Sequence, residues 1–380
     1  MADYTLYRYS LVAALSLMIF FSLTFIFGSR PDTSAYRHYT CARRRLGLAL
    51  LVLSANYAVH LFAAPRFSCP EWAIMMNIDT YFIAAWLFGS SMLQLISHGF
   101  NSPRRDARNA AAWLLFSAVS AAMLHVAPHG WCTVAVLMAA SLAFMLYTLR
   151  IALRLIAAYK RAVRLLDSYH SDDVAAYVRW VSVFTWLAVF YGIGQGVFTF
   201  IPDKYVFLWI LSSIPFYSYG YVSYINYAFE VRKVDEALDA DAPAAAHADV
   251  AGTPHAACAA DRNVADTAES EPVQRLEEWI RQGGFTRQGL TIVQLSQEVC
   301  TNRTYLSSYI NNRYGMTFRD WINSLRIDYA KTLMTTEPEL TVMDVAQRAG
   351  YMSLSNFTRL FTASEGTSPG RWRKENAAVR

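Results

Sequence analysis

From residue 9 to residue 229 the chain is a series of apolar runs broken by short polar segments. Seven runs stand out, at about residues 10–28, 46–64, 73–96, 110–127, 131–149, 181–200 and 205–229. Each is near the roughly 20 residues that carry an α-helix across about 30 Å of hydrocarbon. Pro128-His129-Gly130 alone parts the fourth from the fifth, and Ile201-Pro202-Asp203-Lys204 the sixth from the seventh. Both are tight turns between antiparallel helices. Runs this continuous leave no polar face for water, so the pattern predicts a seven-helix transmembrane bundle over residues 1–234. The first run has no basic start beyond Arg8 and no small-x-small site after it, and so reads as a retained helix rather than a cleaved signal peptide.

Past residue 271 the apolar period becomes 3.6, with clear starts and stops. Val273, Leu276, Trp279 and Ile280 mark a first helix ending near Gly283-Gly284. Thr291-x-x-Gln294 is a capping box opening a short helix, Cys300-Thr301-Asn302 is a turn, and a helix over about 303–313 stops at Gly315. Thr317 caps a long helix to about residue 335. The short-helix, turn, helix pattern then recurs: Thr341 caps 342–349, Gly350 supplies a positive φ, and 354–363 follows. Ser368-Pro369 opens the last helix. The fold class expected is all-α, with a transmembrane bundle and, over residues 272–380, two helix-turn-helix units joined by one long helix.

Residues 235–271 differ from both halves. They are crowded with Ala, Asp, Gly, Pro and Thr and nearly lack large apolar residues, so they read as a flexible linker. A coil of this length reaches roughly 30–37 Å.

Composition agrees with a membrane protein. The 380 residues are 54% hydrophobic and only 17% charged, where a soluble domain has about 25% charged residues. The net charge of +5 matters less than its placement. Loops after the first, third and fifth runs hold 14 Lys and Arg, among them Arg43, Arg44, Arg45, Arg104 and Arg161, against three (Arg8, Arg66, Lys204) on the other side. The positive-inside rule then puts the N-terminus outside and the C-terminal domain in the cytoplasm, as in a multi-pass protein of a bacterial inner membrane.

Polar residues inside the runs need partners. Asn56, His60, Asn77, Asp79, His125 and Gln195 are of this kind. They either bond between helices, the plainer reading, or line a ligand pocket or proton path, for which Asn56, His60, Asp79 and His125 are the candidates. The glycines of Gly192-Ile193-Gly194-Gln195-Gly196 suit close helix packing or a kink. Cys69 and Cys132 both fall on the outer side, where a disulfide between them competes with two separate thiols.

The second helix of each helix-turn-helix unit has the dimensions and short polar side chains to read base edges in a major groove. Outward positions are Thr304, Ser307, Ser308 and Asn311 in the first, and Ser355, Asn356, Thr358 and Arg359 in the second. Arg359 can pair bidentately with guanine, and Arg303 suits a phosphate. Residues 272–380 carry 14 Lys and Arg against 10 Asp and Glu, a modest excess for a DNA binder.

One long pattern adds to this. Phe318-x-x-x-Ile322-Asn323-x-x-Arg326-Ile327-x-x-Ala330-x-x-Leu333, then Val345-Ala346-x-x-x-Gly350-Tyr351-x-Ser353-x-x-Asn356-Phe357-x-Arg359-x-Phe361, then Gly366-x-Ser368-Pro369-x-x-Trp372-Arg373 resembles the DNA-binding domain of AraC/XylS-type transcription regulators. The resemblance covers about residues 285–375. It implies base reading by Thr304, Ser307, Ser308, Ser355, Asn356 and Arg359, and a structural role for Arg326. It departs from the family at Ser308, where members usually carry a base. The membrane half resembles that of some membrane-bound members by architecture alone.

The reading is a membrane-bound, sequence-specific transcription regulator that binds promoter double-stranded DNA, with the lipid bilayer and RNA polymerase as further partners. A homodimer stays open, and so does the small-molecule or periplasmic signal. The alternatives are a membrane transporter or enzyme with an appended regulatory domain, and a helix-turn-helix fold used for protein contacts. No H-E-x-x-H, Walker loop or G-x-S-x-G occurs, so no catalytic residue, metal or cofactor is expected.

Overall fold

The computed structural model describes residues 2–28, 36–97, 102–126, 130–198, 201–239 and 270–377. These residues are almost entirely α-helical and contain no strand, only an isolated antiparallel bridge between His170 and Thr291. Arg30, most of the 128–130 turn and linker residues 240–269 lie outside the described residues. Contacts divide the chain into two units, Met1–Ala162 with Ala176–Asp239, and Val163–Ala175 with Ala240–Arg380.

The first unit holds α1 (Ala2–Phe27), α2 (Arg37–Phe62), the short α3 (Pro65–Ser68), α4 (Pro70–Ile96), α5 (Pro103–Val126), most of α6 (Trp131–Tyr169), α7 (Arg179–Phe198), α8 (Asp203–Tyr227) and α9 (Val231–Asp239). Seven of these match the expected runs, but by length and composition five are apolar enough to cross a membrane: α1, α2, α5, α6 and the stretch Val174–Gly194 containing α7. The other two carry polar groups along their apolar runs: α4 has Asn77, Asp79 and Gln94, and α8 has six tyrosines and an internal Pro215.

Helix α1 packs on α2 and α8, α2 on α4, and α4 on α5 and α7. One core joins Tyr7, Leu11 and Met18 of α1 to Leu53 and Tyr57 of α2, Ala84 of α4 and Ile210 of α8. A second joins Met75, Ile78 and Phe82 of α4 to Leu124 of α5 and Leu137 and Phe144 of α6. Small residues permit the approach. A Cβ on Gly47 would stand 2.7 Å from Ile26 Cγ1, and the Ser22 hydroxyl donates to the Gly47 carbonyl at 2.8 Å. The Gly192 run is helical within α7, and a Cβ on Gly192 would meet Thr148 of α6 at 2.5 Å, in line with close packing.

The outward faces are apolar as well. Leu114, Leu115, Met138, Leu142, Trp186 and Phe190 are exposed, and the most apolar stretch of α5 is only 11% buried. Burying a side chain of this kind is worth about 1.5–3 kcal/mol, so such a surface suits lipid better than water.

The second unit holds α10 (Ser270–Arg281), α11 (Ile292–Glu298), α12 (Arg303–Tyr314), α13 (Phe318–Thr336), α14 (Val342–Arg348), α15 (Leu354–Glu365) and α16 (Pro369–Ala377), together with Val163–Ala175. Local chemistry sets the helix ends. Thr291 and Gln294 form a capping box, as do Thr341 and Asp344, while Asn302, Thr317 and Ser353 cap α12, α13 and α15. Gly350 has φ +91°, and a Cβ there would collide with the Thr286 carbonyl. Behind α13, Ile327, Ala330, Leu333 and Met334 pack with Val345 and Ala346 of α14, Phe357 and Phe361 of α15 and Trp372 of α16.

Candidate nucleic-acid interface

Helices α12 and α15 are the second helices of the two helix-turn-helix units. Each buries one face and shows another. In α12, Leu306 and Ile310 are buried, Thr304 and Ser308 are exposed, and Arg303 and Ser307 are half-buried. In α15, Phe357 and Phe361 are buried, Ser355 and Arg359 are exposed, and Asn356 and Thr358 are half-buried. An open groove along α15 is lined by Leu354, Ser355, Thr358, Arg359, Thr362 and Ala363, the helical i, i+3, i+4 set. A smaller one on α12 joins Ser308 to Tyr305, Tyr309, Asn312 and Arg313. The structure therefore gathers Ser355, Thr358 and Arg359 on one surface and adds Thr362, which sequence reasoning omitted. On α12 it adds the tyrosines, whose rings lie nearly parallel with centroids 6.4 Å apart. Their i, i+4 spacing was the available signal.

Arg326 is fully buried. Its Nε donates to the Phe285 carbonyl at 2.9 Å, one terminal nitrogen to the Arg287 carbonyl at 2.7 Å, and the other meets Asp172 at 3.3 Å. Burial pulls its pKa below the ordinary arginine value, and the Asp172 carboxylate acts against that shift. Arg326 thus clamps the loop before α11, the structural role the resemblance implied.

Acidic and aromatic side chains from Val163–Ala175 meet other arginines of this unit. Asp167 pairs with Arg319 at 2.8 Å. Asp173 pairs with Arg319 at 3.2 Å and with Arg359 at 2.8 Å. The Arg303 guanidinium stands over the Tyr169 ring, 5.5 Å from its centroid. Arg359 also donates to the side-chain oxygen of Asn356 at 2.9 Å. Sequence reasoning saw none of these partners.

In the first unit Asn56 and His60 line one small cavity with Tyr7, Arg66, Asn77 and Tyr81. His60 Nε2 is 2.8 Å from Asn77 Oδ1, its Nδ1 is 3.2 Å from the Tyr7 hydroxyl, and Asn56 donates to Thr80 at 3.1 Å. Asp79 sits elsewhere on α4, beside Ser117 and Trp113 of α5, and His125 is exposed at the end of α5. The four candidates do not form one site. A separate, mainly apolar cavity of about 100 Å³ lies among Leu53, Phe88, Phe144, Ile151, Phe184 and Tyr217. Cys69 and Cys132 are both free and exposed, the separate thiols of the two readings: Cys69 stands at the N-cap position of α4 and Cys132 in the first turn of α6. Among the described residues no cluster of three or more His, Cys, Asp or Glu could hold a metal.

Residues 295–375 match the family model described as "Helix-turn-helix domain". The C-terminal domain is accordingly a helix-turn-helix DNA-binding domain of the AraC type. Its relatives are transcription regulators. Over 68 residues the chain is 40% identical to the transcriptional activator NphR of a Rhodococcus species, covering 18% of this chain and 20% of that protein. It is 35% identical over 75 residues to the TCP pilus virulence regulatory protein of Vibrio cholerae, 20% of this chain and 26% of that one. It is 30% identical over 90 residues to the HTH-type transcriptional regulator YtdP of Bacillus subtilis, 24% of this chain and 12% of that one. The chain thus spans about a quarter or less of the length of these relatives. No solved structure matches the chain.

Proposed function

We propose that the whole chain is a membrane-bound regulator of transcription that binds promoter DNA in the cytoplasm and catalyses no reaction. The observation that carries the DNA part is the pair of polar outward faces on α12 and α15, inside the region that matches the helix-turn-helix model. Thr304, Ser307 and Ser308 face bases in one major-groove segment, and Ser355, Asn356, Thr358 and Arg359 face bases in the next. Arg303 holds a phosphate. RNA polymerase is the partner through which such a protein acts on transcription.

The bundle crosses the inner membrane seven times, with the N-terminus outside. Support for α4 as a span comes from its packing: it lies against α2, α5 and α7, so Asn77 faces protein rather than lipid. The polar cavity at Asn56 and His60 and the apolar one near Phe144 support a bundle that receives a signal as well as anchoring the protein.

Two measurements test this. Full-length chain in lipid nanodiscs should bind short random-sequence duplexes with an affinity that falls as salt rises, and Arg303→Ala should lower the salt slope by about one. A chain that ignores DNA even at low salt would refute the DNA reading. A reporter active only in the cytoplasm, fused after Phe229, should be active; silence there would refute the seven-span topology.

A further inference from the structure

Within seven residues, 167 to 173, the side chains of Asp167, Tyr169, Ser171, Asp172 and Asp173 engage four arginines of the DNA-binding unit. Two of the four arginines, Arg303 and Arg359, lie on the two candidate DNA-contacting helices. We infer that Val163–Ala175 is a built-in competitor for DNA, with Asp173 occupying the guanidinium of Arg359 that would otherwise contact a base. The inference rests on the reading of α12 and α15 as the DNA-contacting helices.

The segment is held by bonds that DNA would not need to break. Asp172 pairs with the buried Arg326 at 3.3 Å and accepts from the Gly289 N–H at 3.0 Å. The Ser171 N–H donates to the Leu290 carbonyl at 2.9 Å. From this anchor Asp173 reaches Arg359 at 2.8 Å, while Arg319 steadies the same carboxylate at 3.2 Å. Bidentate pairing with guanine uses two donors of the arginine fork, and a carboxylate on one of them removes that arrangement. Its negative charge also repels incoming phosphates.

The contact is built to open. Even when paired, the Arg359 side chain is 55% exposed, whereas that of Asp173 is only 18% exposed. Exposed pairs of this kind are weak, so Arg359 can leave while Asp173 stays in place. Residues 163–169 are also the last turns of α6, whose earlier turns belong to the first unit. A change in the bundle therefore has a covalent route to the competitor.

The test uses the full-length chain in nanodiscs and has two readouts. The first is modification of Arg359 by phenylglyoxal, followed by peptide mass spectrometry. Asp173→Asn should raise its rate several-fold and leave Arg371, exposed on α16, unchanged, while Asp173→Glu should keep the wild-type rate. The second is affinity for a pool of random-sequence duplexes. Asp173→Asn should bind about two- to fivefold tighter, and the gain should vanish in an Arg359→Ala background. Equal modification of Arg359 in wild type and Asp173→Asn would overturn the inference. So would wild-type DNA binding that Asp173→Asn leaves unchanged or weakens. Failure of every variant to bind DNA would sink the DNA-binding reading, and the competitor with it, even if modification of Arg359 rises.

Discussion

The buried Arg326 donates from Nε to the carbonyl of Phe285, 41 residues earlier in the chain, at 2.9 Å. Helix α13 is thereby tied to the loop that precedes the first helix-turn-helix unit. Arg326→Ala would leave the Phe285 and Arg287 carbonyls without their donor and open a void beneath the Tyr351 ring. The expected cost is about 3 kcal/mol. Arg326→Lys should recover only part of it, because an ammonium lacks the fork that reaches two carbonyls and Asp172 at once. Hydrogen exchange of α11 and α13 peptides in the full-length chain would read the loss. Unchanged protection in Arg326→Ala would show that the clamp is dispensable.

Gly350 carries a similar load through backbone alone. At φ +91° any L side chain is strained, and a Cβ would overlap the Thr286 carbonyl. Gly350→Ala should destabilise the domain by about 1–3 kcal/mol, with the greatest loss of exchange protection in α14 and α15. A variant as stable as wild type would mean that the turn relaxes freely.

Two carboxylates give the domain a defined acid limit. Asp344 accepts from the Thr341 hydroxyl at 2.6 Å and from the Thr341 N–H at 3.1 Å, bonds that hold its carboxyl below the ordinary 3.8. Arg348 does the same for Glu337. A group whose folded pKa is depressed stabilises the fold above its unfolded pKa and loses that effect as pH falls through the folded value. Asp344→Ala should therefore melt lower than wild type at neutral pH, and the two should converge as pH drops below about 3.8. Calorimetry of the C-terminal transition checks this; a gap that does not change with pH would contradict it.

What the sequence disclosed was set by range. The caps at Thr291 and Thr341, the proline that opens α16 and the positive φ at Gly350 depend on neighbours within a few residues, and each was readable in advance. The exposed and buried faces of α12 and α15 followed from helical spacing. Hydropathy found all seven long helices, yet α4 and α8 are not among the five stretches apolar enough to cross a membrane, and their polar and tyrosine side chains find partners in the bundle. Asn77 on His60 and Tyr224 on the Tyr39 carbonyl are two such contacts. The pair of Asp173 and Arg359 lies 186 residues apart in the chain, and no local pattern announces it. Of the two readings open for Cys69 and Cys132, the structure has the separate thiols.

On the proposed function, α12 and α15 together read DNA sequence. The most direct measurement is selection of duplexes from a random pool by the full-length chain in nanodiscs at near-physiological salt. A motif in two parts about 10 base pairs apart should be recovered. Arg359→Ala should relax one base position, at a cost of about 1–3 kcal/mol there. Recovery of no motif, or of an Arg359→Ala loss spread evenly over every sequence, would contradict that function.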